Sequence, residues 1–231
     1  MEAIHVVIDD IGLISYSDAY QYQENIFNNA IKKKINKLTD NNENVFILCE
    51  HTHVYTLGKS GSEQNMLLNY IQLQAKNAEF VKTTRGGDIT YHGPGQIVGY
   101  PIIDLEVFGF SVKGYVHNIE EVIIKTLKDF NIESTRLEGA TGVWLDIDKP
   151  GKTRKICAIG IRVSRGITMH GFAFNVNTDL NYFNHINPCG FTDKGVTSIS
   201  KELGEVIDIN LVKKHLIRHF GEIFKCAILP K

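Results

Sequence analysis

No stretch of this sequence approaches the ~18 consecutive apolar residues of a membrane-spanning helix, and no apolar segment follows a charged start as in a secretory leader. Both absences point to a soluble, cytoplasmic protein without a membrane partner. Neither sign of charge is in excess: 25 Lys+Arg stand against 26 Asp+Glu, a net charge of −1 over 231 residues. No global field therefore recruits a polyanion, which argues against nucleic acid as a partner. Cysteine is scarce, and Cys49, Cys157, Cys189 and Cys226 stand far apart. That spacing holds no CxxC and no Cys/His zinc pattern, so neither a structural zinc site nor a dithiol motif is encoded. In a reducing compartment the four are free thiols. GxxxxGK[ST] and GxGxxG are both missing, which excludes the two glycine-rich phosphate cradles recognisable from sequence.

What the chain does have is glycine in one place. Gly86, Gly87, Gly93 and Gly95 fall within residues 85–96, among Arg85, Asp88, Ile89, Thr90, Tyr91 and His92. Glycine permits close approach that a Cβ forbids. The cluster therefore suggests a backbone wrapped tightly around something, with polar groups aimed at it. Its plainer reading is a glycine-rich hairpin between strands at 81–84 and 97–103, serving topology alone.

A 43% hydrophobic composition supports a sizeable core, as one large domain or a domain with a small appendage. Strands are expected at 4–8, 45–49, 142–146, 155–163, 167–176 and 196–199, the pair around 148–152 joined by a Pro150-Gly151 turn. Tyr20, Ile26, Phe27, Ile31, Ile35 and Leu38 form a helical stripe over 16–38, with Lys32, Lys33 and Lys34 on its solvated face. A shorter helix is expected within 67–76. Two further stripes run through Val112, Val116, Ile119, Ile123, Leu127 and Phe130, and through Leu211, Leu216, Ile217 and Phe220. Strands in hairpin succession with helices at intervals predict an α+β fold, a mixed sheet covered by helices.

Three groups of residues could carry chemistry. Cys189 sits between Pro188 and Gly190, a context that can present a sulfur at a loop, whereas the other three cysteines lie in apolar segments that suit core packing. Lys155 opens an apolar strand, where it either points to water or, desolvated, gives up its proton near neutral pH. Ala158, Gly160, Gly171 and Ala173 are small residues in otherwise bulky strands, which suits close approach of a ligand or of another backbone. Strict alternation would turn Lys155 away from Ala158 and Gly160 unless a bulge intervenes. His92 and His170 are candidate bases, His92 better suited to orienting the loop, and no carboxylate completes a metal set around them.

Five ordered blocks between residues 50 and 199 make the chain resemble the lipoate-biosynthesis octanoyltransferases. They are residues 50–58 (Glu-His-Thr-His-Val-Tyr-Thr-Leu-Gly), the run from Arg85 to Gln96, residues 154–163 (Arg-Lys-Ile-Cys-Ala-Ile-Gly-Ile-Arg-Val), residues 170–176 (His-Gly-Phe-Ala-Phe-Asn-Val) and Asn187-Pro188-Cys189-Gly190. The first departs at Thr52, where that family often has proline. The resemblance implies the fold of biotin and lipoate protein ligases, with a catalytic part at 1–177 and a small C-terminal subdomain at 178–231 integrated with it. It implies transfer of an octanoyl group from octanoyl-acyl carrier protein to a lysine of lipoyl domains, those of 2-oxoacid dehydrogenase E2 subunits and of the glycine cleavage H protein. Cys189 matches the acyl-accepting cysteine of the family and Lys155 its partner lysine. Arg85, Gly86, Gly87, Asp88, Ile89, Thr90, Tyr91, His92, Ala158, Ile159, Gly160, Gly171, Phe172 and Ala173 are implied to bind substrate. No cofactor is expected, because a thioester is already activated.

Competing expectations are an ATP-dependent lipoate or biotin protein ligase of the same fold, which would not need Cys189, and an octanoyl amidotransferase that moves the acyl group between lipoyl domains. A non-catalytic binder of acyl-proteins would need neither Cys189 nor Lys155.

Overall fold

The computed structural model describes residues 3–38, 44–187 and 194–231. Strands β1 (His5–Ile14), β2 (Asn44–His51), β6 (Gln96–Ile102), β7 (Thr135–Leu137), β8 (Ala140–Leu145), β9 (Arg154–Ser164), β10 (Ile167–Asn175) and β12 (Ala227–Pro230) form one mixed sheet. Its order is β12-β1-β2-β6-β10-β9-β8-β7, with β11 (Gly195–Val196) pairing on β9. A second sheet has the order β4-β3-β5, from β3 (Val54–Leu57), β4 (Glu79–Lys82) and β5 (Ile89–His92). The α+β reading thus holds. Among the described residues no helix is long and apolar enough to cross a membrane.

The large sheet is covered differently on its two faces. Helices α3 (Val112–Asp129) and α5 (Ile209–Phe224) pack on one face, over a core that includes Phe46, Phe172, Phe174, Ile156, Leu127 and Phe220. Helix α1 (Tyr16–Ile35) packs on the other, its Phe27 meeting Ile47, Val98, Tyr100, Ile102 and Met169. Each helix starts at a polar cap: Ser15, Ser111 and Asp208 accept from Asp18, Gly114 and Asn210 backbone N–H groups. Lysines 32 to 34 lie in the last turn of α1, where cations complement the helix dipole. The helix stops at Ile35, so Leu38 lies outside it and is exposed.

Several expectations change in detail. The glycine-rich run is not a hairpin: residues 89–92 are strand β5 themselves, which pairs antiparallel with β3, while β4 pairs with β3 in parallel. Residues 196–199 divide between β11 and the start of α4 (Ile199–Leu203). Cys226 lies just beyond α5, half-buried before β12. Strand β12, short and ending at a proline, closes the sheet edge by pairing in parallel with β1, and α5 packs on α3. Helix α2 (Tyr70–Ala75) supports the small sheet with a capping box of Asn69 and Gln72.

Candidate functional site

Between the two sheets lies a cavity of about 550 Å³, whose floor is the face of β6, β10 and β9 turned towards α1 and the small sheet. Register gives that floor three rows. Gln96 pairs with Asn175, then Val98 with Ala173 and Ala173 with Ala158, then Gly171 with Gly160. Rows two residues apart are separated by roughly 7 Å. Intervening residues point the other way, and Ile159 and Phe172 join the core under α3 and α5 while bordering the cavity.

Lys155 reaches this cavity because β9 carries a bulge. Val143 opposes Cys157, yet the next residue of β8, Trp144, opposes Lys155. Ile156 is the extra residue, and the bulge resets the alternation so that Lys155, Ala158 and Gly160 all border the cavity. Lys155 Nζ stands 4.5 Å from the centre of the Trp144 ring. Gly142, at φ +124°, makes room here, since a Cβ would sit 2.5 Å from Cys157 O and 3.5 Å from Lys155 Cε.

The glycine-rich run forms the roof. Gly86 N donates to Ile161 O, and the backbone of residues 85–88 accepts from Gly58, Lys59 and Ser60 N–H groups. Gly58 is there because a Cβ would lie 2.2 Å from Gly87 O. Gly86, Gly87, Asp88, Ile89, Thr90 and His92 border the cavity, as does Arg85. Asp88 accepts from Ile89 N and from Asn65 Nδ2, and Asn65 O accepts from Asn187 N, which ties the roof to the segment entering residue 187.

A directed chain of hydrogen bonds runs beneath the roof. Arg85 is buried and donates through Nε and Nη2 to Thr56 Oγ1, and through Nη2 to Thr56 O at 2.6 Å. Guanidinium only donates, so the Thr56 hydroxyl proton goes to His92 Nε2, 3.2 Å away. His92 must then donate from Nδ1 to Gln96 Oε1 at 2.9 Å. Gln96 Nε2 donates to Asn175 Oδ1, Asn175 Nδ2 to Thr197 O, and Thr197 N to Lys155 O. Six groups thus link the roof to the backbone of the candidate lysine. Burial, with the neighbouring His51 and the Arg85 charge adding to it, holds His92 well below the usual imidazole range. Burial first, then the Arg85 and Arg162 charges, pushes His170 down to about 3. Both imidazoles are neutral, and neither titrates where a base working at neutral pH must.

Tyr91 differs from its neighbours in β5. It does not border the cavity; its hydroxyl lies 2.7 Å from His53 Nδ1, and its ring stacks at 4.7 Å on Tyr182, which also stacks on His53 at 4.3 Å. That stack holds the 3₁₀ turn Leu180–His185 against β5, with Phe183 at the cavity wall. Cys189 lies outside the described residues. On the far side of that segment, Gly195 and Val196 run parallel to Arg154 and Lys155 and border the cavity together with Lys194. Arg154 fixes this corner, with both Nε and Nη2 on the Glu202 carboxylate and Nη1 on Asp146. Burial raises the thiols of Cys49 and Cys157 far above their ordinary value and that of Cys226 to about 11. These three are protonated packing residues at neutral pH.

The wall also contains Tyr16, Tyr100, Gln96, Asn175, Trp144 and β11, none of them picked out from sequence. For two of them a signal existed. Gln96 closes the glycine-rich run, and Asn175 interrupts an apolar strand whose other residues are buried. A polar side chain there must find hydrogen bonds.

Residues 15–221 match the family described as lipoyl protein ligase A/B catalytic domain. An octanoyltransferase of Cytophaga hutchinsonii is 49% identical over 229 residues, covering 96% of this chain and 94% of that protein. One of Bacteroides fragilis is 52% identical over 225 residues, covering 97% and 99%. Among solved structures, a lipoate-protein ligase A bound with ATP superposes with a TM-score of 0.70 at 14% identity, over 100% of this chain and 89% of that one. A biotin protein ligase from Aquifex aeolicus in complex with biotin and ATP gives 0.52 at 11%, over 96% and 70%. These two likenesses concern the fold alone. By sequence, over nearly its whole length, the chain belongs to the lipoyl protein ligase A/B catalytic domain family and, within it, to the octanoyltransferases.

Proposed function

We propose that this protein moves an octanoyl group from octanoyl-acyl carrier protein to a lysine of lipoyl domains, in the cytoplasm, through an acyl-enzyme on Cys189. The observation that carries the reading is identity near one half, end to end, with octanoyltransferases. The site's chemistry agrees with it. The cavity floor carries the small and apolar Val98, Ala158, Gly160, Gly171 and Ala173, which can take an acyl chain, and Lys155 borders the same cavity.

In the first step the Cys189 thiolate attacks the thioester carbonyl, and the carrier sulfur leaves as a thiol by taking a proton from the Lys155 ammonium, which becomes the amine. In the second the acceptor lysine, as free amine, attacks the S-octanoyl carbonyl, and the Cys189 thiolate is expelled. Lys155, as amine, takes the proton released from the acceptor nitrogen; as ammonium it stabilises the thiolate between turnovers. Splitting the reaction leaves two thioester-centred transfers, each helped by positioning. Backbone N–H groups near Cys189 and around Ala158–Gly160 are the candidate donors to the tetrahedral oxyanion. Acceptors are the lipoyl domains of 2-oxoacid dehydrogenase E2 subunits and the glycine cleavage H protein.

Mixing the protein with octanoyl-carrier protein and an unmodified lipoyl domain, without ATP, tests the reaction. The account expects the lipoyl domain to gain one octanoyl group. Modification only when free octanoate, ATP and magnesium are supplied would make the protein a ligase instead.

A further inference from the structure

Lys155 has a partner that the opposite strand supplies. Val143 and Leu145 of β8 turn to the core under α3 and α5, and so do Ile156 and Cys157, two successive residues of β9. Successive side chains on one face of a strand are the product of a bulge. Because of it Trp144 and Lys155, paired across the strands, both turn to the cavity. Without the extra residue Trp144 would oppose Ile156, and Lys155 would turn to the core. The ring is fixed from other sides as well. Trp144 is 1% exposed, and its Nε1 donates to Ala140 O at 2.9 Å. Its face carries Lys155 Nζ, 4.5 Å from the ring centre. The lysine stem passes Gly142, where a Cβ would come within 3.5 Å of Cε. A ring face attracts an ammonium without tying its N–H groups to one oxygen, as a carboxylate would.

We propose that Trp144 is the positioning residue of Lys155, its ring holding the ammonium in place for proton transfer and setting the alkaline end of the working pH range. The inference rests on the reading of Lys155 as proton donor and acceptor in the two steps. S-octanoylation uses the ammonium form, because the carrier sulfur leaves with its proton. A group that favours the ammonium therefore extends S-octanoylation to higher pH. The charged groups packed around this corner are the same with or without the ring. Lys194, beside β11, and Arg85 and Asp88 of the roof border the cavity. Arg154, next in the chain, carries Glu202 and Asp146, and Glu120 of α3 accepts from Gly142 N and Arg136 Nε. His92 and His170 are neutral, and Cys157 is a protonated thiol. Cys189 is the thiol partner that the mechanism itself supplies.

The first measurement leaves the ring in place. Trp144 is the only tryptophan of the chain, so tryptophan emission reads this ring directly. Emission should change in a step at alkaline pH as the ammonium loses its proton, and Lys155→Met should remove that step. The second measurement is the single-turnover rate of S-octanoylation against pH. Trp144→Leu should move the alkaline fall down by roughly 0.5–1 pH unit and slow acylation at the optimum at least ~10-fold, with donor affinity within ~3-fold. Trp144→Phe, which keeps a ring of weaker attraction, should recover most of both losses. A melting curve reports whether the Leu variant folds; if it does not, the Phe variant and the emission titration decide. Identical emission titrations in wild type and Lys155→Met, or an unmoved alkaline fall in folded Trp144→Leu, would overturn the role of Trp144 and leave Lys155 as the base. If Lys155→Met itself acylates Cys189 at the wild-type rate, the reading of Lys155 falls, and the role of Trp144 with it.

Discussion

Two faces of one ribbon, β9 paired with β10, do opposite work. On one face Ile156, Phe172 and Phe174 interlock with α3 and α5, fully or nearly fully buried, in a dry apolar layer. On the other, Ala158, Gly160, Gly171 and Ala173 leave space that the roof only partly fills. The difference comes from residue size at alternate positions on the same backbone. Large side chains on the first face supply the burial that holds the ribbon flat. That support lets the second face forgo packing and keep a cavity. The small residues on the cavity side are not equivalent, however. A Cβ on Gly171 would lie 2.1 Å from Gly99 O, and one on Gly160 would lie 2.9 Å from Gly86 O. Both glycines serve backbone contacts, and the alanines are the positions that face open space.

The largest effect expected on the cavity face is chemical. Lys155→Ala should lower octanoyl transfer by roughly 10²–10⁴-fold while the melting temperature holds, the range for a lost general base. Lys155→Arg keeps the charge but cannot accept a proton, so an Arg variant near wild-type turnover in a steady-state assay would remove Lys155 as the base. On the core face the expected effect is on stability. Phe174→Ala should cost roughly 3–5 kcal/mol in urea unfolding, with the folded fraction still active. A loss under about 1 kcal/mol would mean the two faces are not divided as described.

Within the cavity face, Gly171→Val should behave like a core lesion, lowering stability because its side chain meets the backbone of β6. Ala158→Val should leave stability within about 1 kcal/mol and instead slow S-octanoylation, more for ten-carbon than for six-carbon chains. If Gly171→Val alters only chain length, the assignment of the two positions is reversed.

The last expectation, read from pH rather than from a substitution on either face, concerns stability. Three imidazoles are held neutral in the polar layer above the floor, with His51 pushed down to about 4 and His170 to about 3 by burial, and His92 well below its usual range. An unfolded chain takes up these protons near pH 6.5, whereas the folded chain does so only at lower pH. The unfolded state therefore binds more protons between these values, and stability falls as pH drops from about 6.5 towards 4. The slope reaches about 1.4 kcal/mol per pH unit for each imidazole involved. Urea titrations at pH 7, 6 and 5 would show it, and His92→Gln should flatten the slope. A midpoint that does not move between pH 7 and 5 would mean these rings are protonated in the folded state.

Sequence pattern revealed the division between the faces better than the site's wiring. Alternation and the run of small residues in 155–163 and 167–176 were visible as the strands that they are. The bulge at Ile156 was not, because a bulge is set by pairing with β8 and leaves no mark on the periodicity of one strand. The glycine-rich run is legible as a tight backbone, but its pattern predicts one hairpin. Its β5 pairs with β3, a strand 32 to 38 residues away in sequence from Leu57↔Ile89 to Val54↔His92. Tyr91 shares the motif of its neighbours, yet one residue of alternation turns it to the aromatic stack rather than the cavity. Tyr16 and Tyr100 read as ordinary core aromatics, and only the tertiary arrangement brings both to the border of one cavity. Cys189, singled out by its Pro-Cys-Gly context, lies outside the described residues, so its place rests on sequence resemblance.

Intact-protein mass spectrometry after brief mixing with octanoyl-carrier protein, followed by peptide mapping, tests the central claim most directly. The account predicts a mass gain of one octanoyl group without ATP, located on Cys189, absent in Cys189→Ala and discharged by adding a lipoyl domain. An adduct that maps to Cys157, or a Cys189→Ala variant that transfers octanoyl groups at the wild-type rate, would contradict it.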